Sequence, residues 1–300
     1  MSVFEVKYND DFIQKGNDYL IDNPKAHLLI ITGMDEHSSR YEGFAHELNE
    51  KGFSVSVLDH WGQGENAKSI EEQQQWPKGA WKMTQASLNK KVEELKKEGI
   101  PVYLMGHSMG SFAVQNYLIN YPDTVHKAII MASNGKNNKF LISIGNMMAK
   151  LLTTKKNWNK HAKFLESMSV GAYAKSIKDR ESDLDWLSYD KENIKNYAAD
   201  PYCGHENTFG FFHEFMEGLN EIYKKKNLKR ISKNEHILLL AGEEDPVGAC
   251  GKGPKALLKM YKDLGVKDVS LVLYPHMRHE ILNETERDKV VNDIIEFLEK

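Results

Sequence analysis

The 300-residue chain sets 40 Lys and Arg against 43 Asp and Glu, a net charge of −3, so nothing in its charge calls for a polyanion such as nucleic acid. Its hydrophobic fraction of 41% suits a large globular core, and its two cysteines, Cys203 and Cys250, exclude a disulfide-dense scaffold and fit a reducing compartment. The opening MSVFEVKYNDDF lacks the basic and apolar regions of a signal peptide, and no run of about 18 apolar residues occurs, so the expectation is a cytoplasmic protein without a membrane span.

Val3 to Tyr8 and Asn17 to Ile21 read as an antiparallel hairpin. Ala26 to Thr32 (AHLLIIT) is a buried apolar run and reads as a central strand, followed by Gly33, Met34, Asp35, Glu36 and His37. Ser39 and Glu42 have the spacing of a capping box before a helix with Tyr41, Phe44, Ala45 and Leu48 on one face, and Gly52 stops it. Phe53 to Leu58 is the next strand and leads into a tight polar loop, DHWGQG. A helix spans Trp81 to Lys97.

The stretch PVYLMGHSMGSFAVQNYLINY (Pro101 to Tyr121) follows. A short apolar strand runs into Gly106-His107-Ser108-Met109-Gly110, and then Ala113, Val114, Tyr117 and Leu118 recur at helical spacing up to Pro122. G-x-S-x-G alone arises by chance in roughly one chain in ten of this length. Between a strand and a helix it becomes a nucleophile elbow, with Ser108 on a strained turn and the helix amides aimed at any oxyanion formed there. Ala128 to Met131 is one more strand.

From Ser133 to about Arg230 short amphipathic pieces replace the alternation, among them FLISIGNMMAKLL (Phe140 to Leu152) and NTFGFFHEFMEGL (Asn207 to Leu219). Strands return at His236 to Ala241 and Val269 to Tyr274. A helix opening at Pro254 lies between them, and a last helix carries Val291, Ile294, Ile295 and Leu298. The alternation implies an α/β protein with a mostly parallel sheet covered on both faces, with active groups beyond the carboxyl ends of its strands. The expected organisation is a core over 1–132, a helical insertion over 133–230 and a second part of the core over 231–300.

A serine hydroxyl needs a base, and the base an orienting acid, in the order serine, acid, histidine on this kind of sheet. The end of HILLLA offers Glu243, Glu244 and Asp245; Asp245 is chosen because it precedes Pro246 at the loop apex. The end of VSLVLY offers His276 and His279; His279 is chosen because His276 follows Pro275 directly at the strand end. The oxyanion amides are expected from Met109, after the serine, and from Met34, after the AHLLIIT strand. No HExxH, cysteine–histidine cluster or phosphate loop appears, so neither a metal nor a nucleotide cofactor is expected. His107 is expected to pack or hydrogen-bond nearby, and Cys250 to be a small buried filler near Asp245.

The chain resembles the monoacylglycerol lipase and lysophospholipase branch of the α/β-hydrolases, a group also filed with serine aminopeptidases. TGMDEHSSRYEGF (Thr32 to Phe44) is similar to its H-G-x-x-E-H-S-x-R-Y oxyanion loop, DHWGQG (Asp59 to Gly64) to its D-x-x-G-x-G loop, and GHSMGS (Gly106 to Ser111) to its elbow. GEEDPVGACGKG (Gly242 to Gly253) and RHEILNE (Arg278 to Glu284) are similar to the acid and histidine loops of bacterial members. The resemblance implies a Ser108–Asp245–His279 triad, with oxyanion amides from Met34 and Met109, in an ester hydrolase acting on a small acyl ester, a monoacylglycerol or lysophospholipid. It departs at Thr32, where the family usually has histidine. It also places a helical cap where 133–230 fall. DPYCGHENTFGFF (Asp200 to Phe212) resembles the return from cap to core, and Leu141, Ile144, Met147, Met148 and Leu151 are candidates to line an acyl tunnel or to pack the cap. A peptidase that removes N-terminal residues, with Glu206 or Glu217 holding the substrate ammonium, is the alternative enzyme. A catalytically inactive binding protein is the alternative of another class. Oligomeric state and any transient contact of the cap with a membrane surface are left open.

Overall fold

The computed structural model describes residues 1–135 and 139–300, with the side chains of residues 139–142 also outside the description, Leu141 among them. Eight strands form one sheet: β1 (Ser2–Lys7), β2 (Ile13–Tyr19), β3 (Ala26–Ile31), β4 (Phe53–Leu58), β5 (Val102–His107), β6 (Lys127–Met131), β7 (His236–Gly242) and β8 (Asp268–Tyr274). The order across the sheet is β1-β2-β4-β3-β5-β6-β7-β8. β2 is antiparallel to both neighbours, and every pair from β4 to β8 is parallel. This is the α/β-hydrolase arrangement expected from the sequence.

β3, β4 and β5 are buried at every position because both faces of the sheet are covered there. Successive side chains point to opposite faces. Leu29, Ile31 and Leu104 therefore join the layer of α2 (Ala80–Leu95) and α3 (Met109–Asn120), while Leu28, Ile30 and Met105 join that of α1 (Glu42–Glu50) and α11 (Arg287–Glu299). α3 is buried from Met109 to Ile119, an all-round burial that matches its lack of a polar face.

Between β6 and β7 lie α4 (Lys139–Leu152), α5 (Lys163–Met168), α6 (Val170–Ser176), α7 (Lys191–Ala199), α8 (Phe209–Ile222) and α9 (Lys225–Leu228), with no strand of the sheet among the described residues. α10 (Lys252–Leu264) joins β7 to β8 and begins two residues before Pro254. No described helix is long and apolar enough to cross a membrane.

Two local expectations are corrected. Ser39 and Glu42 form no capping box: a 3-10 turn over Ser38–Tyr41 precedes α1, neither has a side-chain cap, and the Ser39 hydroxyl instead accepts from Asn17 Nδ2 at 3.1 Å. β2 begins at Ile13 rather than Asn17, because IQKGNDY pairs with β1 and β4 without an apolar alternation to announce it.

The elbow fits because two positions lack a side chain. A β-carbon on Gly106 would press into the Gly110 carbonyl, and one on Gly110 into the carbonyl oxygens of Ile31 and Thr32. Gly110→Ala should therefore destabilise the fold by about 3 kcal/mol. Gly43→Ala, in α1 with nothing within 4 Å of the added carbon, should stabilise it by a few tenths to about 1 kcal/mol. Urea midpoints of the two variants check the pair; equal and small shifts would contradict the packing argument.

Candidate active site

Ser108 sits between β5 and α3 with φ 50° and ψ −116°, a conformation that costs energy in any residue with a β-carbon. Its backbone is pinned on both sides: its amide donates to Met131 O at 3.0 Å, and Ser111 Oγ donates to its carbonyl at 2.5 Å.

The loops after β7 and β8 bring Asp245 and His279 to this turn. His279 Nε2 lies 2.8 Å from Ser108 Oγ, and Nδ1 lies 3.0 Å from Asp245 Oδ2. A carboxylate can only accept, so Nδ1 carries the proton and Nε2 offers a lone pair to the Ser108 hydroxyl. Asp245 is fully buried, and its other oxygen accepts the Val247 amide at 2.8 Å. Trp186 and His107 pack against the His279 ring, with centroids 5.1 and 5.0 Å away. The competing residues stay outside: His276 is 90% exposed and pairs with Glu244 at 3.3 Å. Cys250 is exposed rather than a buried filler, because Ala249, Cys250 and Gly251 all take positive φ and turn the chain outward before α10.

Met34 and Met109 both line the space beside Ser108. Neither amide donates to another described residue, and Met109 opens α3, where no intrahelical acceptor exists. The loop carrying Met34 is shaped by Gln63, whose Nε2 donates to Gly33 O at 2.9 Å and Glu36 O at 3.0 Å while its Oε1 accepts the Asp35 amide at 3.3 Å. At the departure Thr32, His60 Nε2 donates to the Thr32 carbonyl at 3.1 Å. Burial pushes the His60 pKa down to about 3, so it is neutral, and it stacks on Trp76 at 5.6 Å.

The site rests on a buried charge network that sequence reasoning missed. Glu36 accepts from Tyr41 OH (2.8 Å), His107 Nδ1 (2.9 Å), Arg40 Nη1 (3.0 Å) and the Gly33 amide. His107 Nε2 faces the His279 carbonyl at 3.3 Å. Both partners of this ring only accept, so His107 donates from both nitrogens and is an imidazolium. Burial opposes that charge, but the Glu36 carboxylate outweighs it and the His107 pKa rises. Burial likewise opposes ionised Glu36, yet His107 and Arg40 hold its pKa far below the usual carboxylate range. Arg40 also forks onto Glu280, beside His279, at 2.8 Å through each nitrogen, and Asn193 on α7 donates to Glu280 at 2.7 Å. Two cations and two anions thus tie the Met34 loop, the elbow, the histidine loop and α7 together. The E-H-S-x-R spacing after Gly33 was the available signal, since it sets Glu36 and Arg40 four residues apart.

Among the described residues His37, Asp200 and Cys203 offer nitrogen, oxygen and sulfur atoms within 4.8 Å of one another. His37 and Asp200 already satisfy each other at 2.9 Å, and burial pushes the Cys203 thiol up, away from the thiolate a metal takes. The cluster fits a tie between the loop after β3 and the segment after α7.

Two cavities meet at Ser108. One, of about 330 Å³, is apolar and is walled by Phe112 and by Phe211, Phe215, Met216 and Leu219 of α8. Ile144, Met147, Met148 and Leu151 do not line it: α4 packs outside α8, and Met147 and Leu151 are 55% and 74% exposed. The other, of about 130 Å³, carries Val170, Leu184, Trp186 and Leu187 and also reaches His279, Asp35, Glu166 and Glu206. Of the two carboxylates considered for an ammonium, Glu206 is at this cavity, whereas Glu217 pairs with Lys150 at 3.3 Å in a groove elsewhere.

A family model described as "Serine aminopeptidase, S33" matches residues 22–286. The chain is 24% identical to the monoglyceride lipase of Saccharomyces cerevisiae over 284 residues, covering 92% of this chain and 85% of that protein. It is 22% identical to the monoacylglycerol lipase of Mycolicibacterium smegmatis over 293 residues, covering 92% and 89%. Among solved structures, a thermostable carboxyl esterase from Bacillus coagulans in complex with glycerol superposes with a TM-score of 0.86 at 25% identity, covering 100% of this chain and 98% of that one.

Removing one member of a buried ion network strands the others. Glu36→Gln should lower the unfolding free energy by about 3 to 5 kcal/mol at neutral pH. Glu36 has a depressed folded pKa, so its contribution is present above the ordinary 4.5 and is lost as pH falls towards the folded value. His107 has the opposite sign: its contribution is present below the ordinary 6.5 and is lost as pH rises through its raised value. The gap between variant and wild type should narrow below about pH 4.5 in urea titrations. A gap constant down to pH 3 would mean that Glu36 is held for its shape and not its charge.

Proposed function

The chain belongs to the serine aminopeptidase S33 family of α/β-hydrolases, and from that membership we propose that it is a serine ester hydrolase cleaving single-chain acyl esters through an acyl-enzyme. The observation that carries the reading is the relay from Ser108 through His279 to Asp245 at the mouth of an apolar cavity of about 330 Å³. His279 Nε2 takes the Ser108 proton as Oγ attacks the ester carbonyl, and Asp245 holds the imidazole in the tautomer this needs. The Met34 and Met109 amides donate to the oxyanion. His279 returns the proton to the departing alcohol oxygen. Water, deprotonated by the same nitrogen, then attacks the acyl-Ser108 carbonyl and frees the acid.

The helices of residues 133–230 act as a cap, and α8 supplies the wall against which the acyl chain lies. Monoacylglycerols and lysophospholipids are the substrate classes of this reading, and the names of the two relatives favour the former. Met147 and Leu151 of α4 and Phe164 and Met168 of α5 are exposed apolar side chains, which supports a cap that touches a lipid surface while taking up substrate.

A second reading has one observation in its favour. An aminopeptidase needs carboxylates for a substrate ammonium, and Glu206 lies at the smaller cavity beside Ser108. Aminoacyl anilides tested against acyl esters separate the two. Labelling of Ser108 by a fluorophosphonate separates both from an inactive binding protein.

Ser108→Ala and Asp245→Asn should each lower turnover of p-nitrophenyl acyl esters by about 10⁴-fold. Full activity in Ser108→Ala ends the hydrolase reading, and full activity in Asp245→Asn means that another carboxylate serves. Leu219→Trp should move the acyl-length optimum to shorter chains in a series of monoacylglycerols; an unmoved optimum would place the chain elsewhere.

A further inference from the structure

The two edges of the sheet are finished differently. A free edge strand offers unpaired amides and carbonyls to any other strand, and proteins blunt such an edge with charge or cover it. β1, at one end, is blunted: Glu5 and Lys7 stand exposed along it, and Lys90 Nζ from α2 donates to the Lys7 and Tyr8 carbonyls at 2.8 and 3.1 Å. β8, at the other end, has no such device. Between Asp268 and Tyr274 it reads VSLVL, without a charge or a proline.

Which groups of β8 are free follows from its pairing. The Glu243 amide donates to the Tyr274 carbonyl at 2.9 Å, so Tyr274 faces β7. The N–H and C=O of one strand residue point the same way, and successive residues alternate. Asp268, Ser270 and Val272 therefore face β7 as well, while Val269, Leu271 and Leu273 turn both groups outward. No described residue bonds them on that side. Burial is unfinished there too. β7 is buried from Ile237 to Gly242, whereas Val269, Leu271, Val272 and Leu273 are half-buried. Val269 and Leu271 pack on the layer that holds α10, and Val272 on that of α11.

We propose that β8 pairs with β8 of a second copy of this chain, antiparallel about a two-fold axis at Leu271. In that register Leu271 faces Leu271, and Val269 faces Leu273. Each facing pair exchanges two hydrogen bonds, so every outward amide and carbonyl of both copies is used. The unpaired residues are spaced evenly about their middle member, as a surface that must fit itself requires. No like charges meet, because Asp268 falls opposite Tyr274 and is already paired with His236 at 2.7 Å. The half-buried Val269, Leu271 and Leu273 of one copy meet the same apolar set of the other. The blunted β1 offers no second edge, so the assembly closes as a dimer and does not grow into a filament. A strand from a different protein would find the same bonds without the symmetry. Because the paired strands run in opposite directions, the two Ser108 sites open at opposite ends of the joint sheet.

Sedimentation velocity on the full chain, at loadings from about 1 to 50 µM, should show a dimer forming as concentration rises. Leu271→Glu sets two carboxylates on the axis and Leu271→Lys two ammonium groups, so each variant should sediment as a monomer, and an equimolar mixture of the two should recover the dimer. A milder pair of substitutions guards against misfolding. With the exposed Cys250 changed to serine, Leu271→Cys brings two thiols onto facing residues about 5.5 Å apart at Cα, within reach of a disulfide. Oxidation by copper phenanthroline should give a band of doubled mass on a non-reducing gel, whereas Ser270→Cys in the same background, which does not face itself, should give little. Where circular dichroism shows that the charge variants do not fold, the cysteine pair decides. A wild type still monomeric at the highest loading leaves the edge to another protein's strand and overturns the proposal. A dimer untouched by both charge variants, or cross-linking through Leu271→Cys no better than through Ser270→Cys, overturns it as well. None of these readouts involves turnover, so the dimer stands or falls separately from the ester-hydrolase reading.

Discussion

One carboxylate holds the site together. Glu36 is buried, and an ionised carboxyl in that position is tolerable only with its lone pairs filled. Its donors come from Gly33, Tyr41, His107 and Arg40, so the requirement draws the loop after β3 against the elbow. Arg40 passes the constraint on to Glu280, and Glu280 passes it to Asn193 on α7. Segments more than 200 residues apart are thereby fixed relative to one hydroxyl. The four charges are two of each sign, so the network organises its surroundings without leaving a net charge behind.

The second constraint is conformational. Ser108 keeps a backbone geometry that its β-carbon disfavours, and such strain persists only where the surroundings over-determine it. Here they do. Gly110 lets α3 press on the end of β3, Gly106 lets β5 pass the first turn of α3, and the bonds from Met131 and Ser111 leave the turn no other path. The helix is buried almost all round, so it cannot roll to relax the turn.

The architecture was legible where burial acts on contiguous residues. AHLLII, FSVSVL and VYLMGH are strands covered on both faces, and such strands announce themselves as short apolar-rich runs, interrupted here only by His27, Ser54, Ser56, Gly106 and His107. Ser108, Asp245 and His279 could be singled out because each follows a strand on the same edge of the sheet, and proximity to a strand end can be read locally. What escaped was non-local or polar. β2 is built from IQKGNDY and shows no alternation, so its start was placed four residues late. Gln63 and Glu36 owe their importance to partners 27 to 71 positions away. The apparent capping box failed because a 3-10 turn takes up the same residues. The helical segment between β6 and β7 was the hardest part. Its most apolar stretch, in α4, suggested a lining, yet the wall of the cavity is the second apolar stretch, α8, and sequence has no means of saying which of two amphipathic helices is inner.

Two chambers that meet at Ser108, sharing Met34, Val170 and Trp186 in their walls, have a temporal consequence for the proposed reaction. Once the acyl group is bonded to Ser108 Oγ it plugs the larger chamber itself, and the alcohol is left on the imidazole side with its own way out. The first product therefore clears the very spot from which the second nucleophile must approach. Orderly release follows from partition, and no moving gate is required to impose it.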